Sequence, residues 1–218
     1  LRTARENLDD LVDPGSFLEF GAFAVAAQRN RRDYEELQLE TSADGILTGF
    51  CNINEDEVGE DNSHAAAIIY DYSVLAGSQG FFHHQKLDRI CEKAEEFSLP
   101  VVIFTEGGGG RPGDTDVTTQ IAGLHIPSFS TWARLTGKCL KIAVNNGYCF
   151  AGNAVLFGCS DFMIATKQSW IGMAGPAMIE GGGLGVYDPK EIGPAEEQYK
   201  NGVLDYLAED EKLSLIHI

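Results

Sequence analysis

The feature of this chain that most limits its fold is a unit that recurs: a short apolar run, a loop of small residues, then a helical stretch. The runs Ala66-Ala67-Ile68-Ile69-Tyr70, Val101-Val102-Ile103-Phe104-Thr105 and Leu140 to Val144 each lead into a glycine-bearing loop. After the first loop, Leu87, Ile90, Ala94 and Phe97 follow helical spacing up to about Phe97, and Ser78 is placed to cap that helix. After the second comes a helix-like stretch that Pro127 must interrupt or kink. After the third, a short helix over about 151–157 leads to a further strand, 161–166. Strands that are apolar throughout and separated by helices predict a mainly parallel sheet in an α/β fold. Ahead of them, residues 45–50 and 64–70 flank an acidic, turn-like segment, 54–62, which predicts a β-ribbon.

With 218 residues the chain can bury one large core or two small ones. The formal charge of −17 argues against a nucleic-acid or anionic-membrane surface, since both need a basic patch. An anionic ligand stays possible where backbone dipoles or a few arginines hold it. Five cysteines without a Cys-x-x-Cys pair, set in apolar surroundings, predict buried free thiols in a reducing compartment. No signal peptide and no membrane-spanning run are visible, so the expected location is cytoplasmic.

Chemistry is concentrated in the glycine loops. Glu106-Gly107-Gly108-Gly109-Gly110-Arg111 directly follows a buried strand, and four glycines leave backbone N–H groups unobstructed. Such donors suit an enolate or thioester oxygen. Asn146 to Ala154 has the same position in its own unit, with small residues at 151, 152 and 154 that allow close approach to a ligand. Tyr72 to Gly80 is a third small-residue loop, and Gly172 to Gly183 reads equally as a lid for an apolar ligand or as a packed turn. Loops on neighbouring parallel strands converge at the carboxyl edge of a sheet. His83 and His84 read as structural or solvated. Neither a metal-ligand spacing, a Gly-x-Ser-x-Gly elbow, a Rossmann fingerprint nor a Walker loop is present.

Together these segments carry a resemblance. Asn146-Gly147-Tyr148 through Asp161-Phe162-Met163-Ile164-Ala165-Thr166 resembles the oxyanion-loop region of the crotonase superfamily. Arg5 to Glu19, Asp71 to Ser78, Thr105 to Arg111, Gly175-Pro176 and Glu191 to Val203 are similar, in order, to the carboxyltransferase component of acetyl-CoA and propionyl-CoA carboxylases. The resemblance implies a crotonase/ClpP-like fold of repeated strand-strand-helix units over residues 1–211, with 212–218 an uninformative tail. It implies transfer of a carboxyl group from carboxybiotin to the α-carbon of an acyl-CoA. By it, backbone N–H groups of Gly108, Gly109, Gly152 and Asn153 stabilise an enolate, and Ala76, Gly77, Ser78, Gly175 and Pro176 lie along coenzyme A. Arg111 either supports its loop or lies near an anion.

The same resemblance implies partners: a biotin carboxyl carrier, a biotin carboxylase, a second carboxyltransferase half that binds biotin, and a homo-oligomer, with no metal in this chain. The chain departs from the family where serine and alanine flank the first glycine pair, which here are Gly107 and Gly110, and where Gly-Gly becomes Gly152-Asn153. Two other readings stay open: an enoyl-CoA hydratase or isomerase, for which Glu106 and Glu180 are the available carboxylates, and a coenzyme A-binding fragment that does not turn over.

Overall fold

The computed structural model describes residues 2–117 and 126–215. Its strands are β1 (Leu18–Glu19), β2 (Ile46–Asn52), β3 (His64–Tyr70), β4 (Val101–Phe104), β5 (Lys141–Asn145), β6 (Tyr148–Phe150), β7 (Phe162–Thr166), β8 (Trp170–Gly172) and β9 (Tyr206–Ala208). Seven of them form one sheet in the order β1-β2-β3-β4-β5-β7-β9, and β6 pairs with β8 in a small second sheet. β2 and β3 are the expected antiparallel ribbon; from β3 through β9 every neighbour in the large sheet is parallel.

Because side chains alternate across a strand, the apolar strands feed two cores. Ile68, Tyr70 and Ile103 pack on one face against Leu87, Ile90, Trp132 and Phe157. Ile69, Val102, Phe104 and Val144 pack on the other against Leu8 and Leu11 of the helix Ala4–Leu11. Burying a large aliphatic side chain such as Ile90 contributes about 1.5–3 kcal/mol, so doubly covered strands hold this edge of the molecule rigid. In register, Ile68 pairs with Ile103 and Ile103 with Ala143, which brings the carboxyl ends of β3, β4 and β5 side by side.

Local details differ from the sequence reading. The ribbon connection holds two short helices, Glu55–Val58 and Glu60–Ser63, instead of a plain turn. The long helix runs Phe81–Phe97 and is not capped by Ser78. Ser78 Oγ donates to Leu75 O, while Asp114 Oδ2 accepts the Phe81 N–H at 2.8 Å, so a residue distant in sequence satisfies that helix end. Cys51, Cys91, Cys139 and Cys149 are buried free thiols as expected, but Cys159 is exposed. Part of the helix-like stretch before Pro127 falls at 118–125, outside the described residues; Pro127 itself stands at the start of the helix Ser128–Arg134. The supposed tail, as far as Leu215, is folded back: Ser214 is buried and Leu215 packs on the second core. Among the described residues no helix is long and apolar enough to cross a membrane.

Candidate functional site

The first glycine loop leaves β4 and is stitched on both sides. Toward β6, Gly107 N–H donates to Tyr148 O at 2.7 Å and Gly107 O accepts the Phe150 N–H at 2.9 Å. Toward the loop after β3, Gly108 N–H donates to Ala76 O at 3.0 Å, Gly109 O accepts the Gln79 N–H, and Arg111 N–H donates to Gln79 O. Gly109 N–H donates to the Asn153 Oδ1 at 3.0 Å. Of the N–H groups from Gly107 to Arg111, only that of Gly110 has no acceptor among the described residues.

Two of the four expected donors are thus engaged within the protein. Gly108 and Gly109 are where the sequence put them, at the carboxyl edge of the sheet, but their N–H groups are already engaged by the protein. The sequence could place four glycines there; it could not say which N–H the neighbouring loops would take. Gly152 opens the helix Gly152–Gly158, so its N–H and that of Asn153 belong to a first turn without intrahelical acceptors. A β-carbon on Gly109 would lie 3.7 Å from Gly152 N, so the two loops meet there. Ala151, between them, is held at φ 54° and ψ −121°, a conformation costly for any residue with a β-carbon.

On one side of the first loop is a hollow of about 240 Å³ lined by Gly108, Tyr72, Tyr148, Phe150, Gly175 and Pro176, among others. Tyr148 is the centre of its aromatic wall, stacked on Trp170 at 5.0 Å and on Phe150 at 6.0 Å between ring centroids. On the other side, Gly110 opens on a cavity of about 500 Å³ with Gln79, His84 and Ile126. The structure thus gathers Gly108, Gly175 and Pro176, and sets the exposed Ala76 beside Gly108, whose β-carbon position lies 3.6 Å from Ala76 O. The aromatic wall was missed in the sequence; the spacing of Tyr148, Phe150 and Trp170 across the β6–β8 pair was the available signal.

Gly77, by contrast, is buried against the first loop, and Ser78 Oγ is tied to Leu75 O and Arg111. Both pack loop on loop in this structure. Arg111 is the strut of that packing: its side chain is 4% exposed, paired with the buried Asp44 and Asp114, and donating to Ser78 O at 2.7 Å. The contacts seen are those of loop support, the first of its two expected roles. Burial pushes the Asp44 carboxyl upward, against the pull of Arg111.

His84 donates or accepts at Ser128 Oγ and is driven down to about 4 by burial, with the Arg111 charge adding to the effect. His83 is pushed well below its ordinary range by burial, so both rings are neutral packing elements at pH 7. Glu106 is buried beneath the loop, with Oε1 accepting the Asn146 N–H at 2.8 Å, and Glu180 is exposed on the outer surface. Neither carboxylate lines the aromatic hollow or the larger cavity. Among the described residues no group of three or more His, Cys, Asp or Glu is placed to hold a metal ion.

A profile described as carboxyl transferase domain matches residues 1–218. The chain belongs to that family. Over 212 residues the carboxyl transferase domain is 30% identical to the methylmalonyl-CoA carboxyltransferase 12S subunit of Propionibacterium freudenreichii subsp. shermanii, covering 96% of this chain and 38% of that one. A solved single-chain, multi-domain long-chain acyl-CoA carboxylase superposes with a TM-score of 0.92 at 53% identity, over 98% of this chain and 21% of that one. A transcarboxylase 12S crystal structure follows the same course with a TM-score of 0.80 at 28% identity, over 99% and 40%. The crotonase-type fold expected from the loops is therefore the fold of the carboxyl transferase domain, and the domain spans well under half of these relatives.

Proposed function

We propose that this carboxyl transferase domain supplies the acyl-CoA side of a biotin-dependent carboxyltransferase. The observation that carries the reading is the stitched glycine loop, which leaves one backbone donor open, Gly110 N–H, beside Gln79, which Gly152 at the first turn of the helix Gly152–Gly158 also approaches. Backbone donors of these two loops suit the thioester oxygen of an acyl-CoA, which gains negative charge as its α-proton leaves. Donors fixed by hydrogen bonds on both sides need no reorganisation when that charge develops. The 240 Å³ hollow beside Ala76, Gly175 and Pro176 suits the uncharged pantetheine arm, and the 500 Å³ cavity on which Gly110 opens, across the loop, suits the thioester and acyl group.

When bound, carboxybiotin supplies the carboxyl group and a ureido nitrogen that takes the α-proton. This chain therefore needs no side-chain base on the substrate, in keeping with the absence of Glu106 and Glu180 from both cavities. A hydratase or isomerase needs such a carboxylate, which disfavours that alternative. In this reading contacts to biotin fall to a second carboxyltransferase half, with the carrier and the biotin carboxylase as further partners, in an oligomer; none of these is needed for acyl-CoA to bind here.

Calorimetric titration with acetyl-CoA, longer acyl-CoAs and free biotin tests this. Micromolar acyl-CoA binding with no biotin binding is the expected result. A folded chain that ignores every acyl-CoA would leave a fragment without this site, and the reading would have to be abandoned for the isolated domain.

A further inference from the structure

The Asn153 side chain is fully buried and sits under the first glycine loop. Its Nδ2 donates to Thr105 O at 3.2 Å and to Gly77 O at 3.4 Å, and its Oδ1 accepts the Gly109 N–H at 3.0 Å. One carboxamide thereby joins three segments: the loop after β3, the end of β4 and the glycine loop. Two carbonyls on one side and an N–H on the other also fix which way the amide faces. A β-carbon built on Gly107 would lie 2.2 Å from Asn153 Nδ2, 2.2 Å from the Gly77 carbonyl oxygen and 2.9 Å from Asn153 Cγ. The carboxamide and the Gly77 backbone to which it donates together close the space beside Gly107.

We propose that Asn153 is a positioning residue for the glycine loop: it ties the loop to Gly77 O and Thr105 O and, by taking the Gly109 N–H, leaves Gly110 N–H as the loop's donor to the substrate oxygen. The catalytic half of this inference rests on the carboxyltransferase reading. The geometric half does not. Three bonds from one rigid side chain set the loop's height over the helix Gly152–Gly158, and the direction of the Gly110 N–H follows from that height. Misplacing a preorganised donor weakens it most where charge develops, so the effect belongs in kcat more than in KM.

The test uses the full-length polypeptide that carries this domain, as wild type, Asn153→Gly and Asn153→Ala. Asn153→Gly is expected to lower kcat for acyl-CoA carboxylation roughly 10- to 100-fold while KM changes less than about 3-fold. It should also speed hydrogen exchange at the Gly109 amide, a readout independent of turnover. Asn153→Ala, which lacks the carboxamide and keeps a helix-favouring side chain, should match it in both readouts. If neither variant folds, exchange in the wild type decides: the Gly109 amide should be better protected than that of Gly110, and equal protection overturns the inference. Unchanged kcat or unchanged Gly109 exchange in a variant that folds also overturns it. A wild type that carboxylates no acyl-CoA removes the catalytic half through the reading it rests on, and the exchange data then decide the geometric half alone.

Discussion

Gly77 faces Glu106 across the junction of two loops so closely that a β-carbon on Gly77 would lie 2.2 Å from the Glu106 carbonyl oxygen. Gly77 also holds φ at +61°, the last of three consecutive left-handed residues after Leu75 and Ala76. Contact and conformation both forbid a side chain. Gly77→Ala is expected to cost about 3 kcal/mol, from the left-handed backbone and the forced separation of the loops together. Urea denaturation measures this. A loss below about 1 kcal/mol would mean that the two loops part easily and do not fix the donors above them.

Arg111 and Asp44 make a different kind of junction, a buried ion pair whose carboxylate also accepts the His83 N–H at 2.7 Å. Removing one member leaves the other charge buried and unpaired, so Arg111→Ala is expected to destabilise by about 3–5 kcal/mol. Arg111→Lys should restore little, because one ammonium cannot reach Asp44, Ser78 Oγ and Ser78 O as the planar fork does. Were Arg111 instead a phosphate ligand, Arg111→Ala would weaken coenzyme A binding at nearly unchanged stability. Parallel denaturation and calorimetry separate the two cases.

The parallel sheet was legible because apolar runs and glycine loops alternate in sequence with the period of the fold itself. The converging loops were legible for the same reason: each follows a strand. Hydrogen-bond partners were not. Ser78 read as a helix cap because Ser before an amphipathic stretch has that use, yet Asp114, 36 positions onward, holds the helix end. Gly108 and Gly109 read as free donors because a glycine run shows that N–H groups are unobstructed, not where they point. Local signals specify the elements; which polar group meets which is decided by pairs such as Gly109 and Asn153, distant in sequence.

Ala151 holds the strained conformation at the start of the helix Gly152–Gly158, with its N–H on Gly172 O at 3.0 Å. Ala→Gly ordinarily costs about 0.5–1 kcal/mol through the unfolded chain, whereas strain of this kind amounts to about 1–3 kcal/mol. At this position relief exceeds entropy. Ala151→Gly is therefore expected to be stabilising by up to about 1 kcal/mol, read as a rise in melting temperature. A fall like that of an ordinary Ala→Gly change would show that Ala151 is relaxed, and that nothing at the loop junction is held under strain.

Glu106 ties the first loop to the end of β5 through the Asn146 N–H, yet its Oε2 and the Asn146 Oδ1 are both buried without partners among the described residues. Burial pushes the carboxyl up to about 7; the hydrogen bonds from its own N–H and that of Asn146 oppose this, and the Asp71 and Glu211 charges add to it. The folded chain therefore keeps this proton up to about pH 7, while the unfolded chain releases it near the ordinary 4.5. Between those values the native state binds more protons, so unfolding free energy falls as pH rises. The contribution is fully present below about pH 4.5 and is lost by about pH 7, with an upper size of roughly 3 kcal/mol. Glu106→Gln keeps the acceptor for Asn146 N–H and cannot ionise, so it should remove this slope and gain on wild type as pH rises toward 7. Denaturation of both proteins across pH 4.5–8 makes the comparison. Parallel curves would mean that the buried carboxyl is already ionised at the acid end, held by a partner for Oε2.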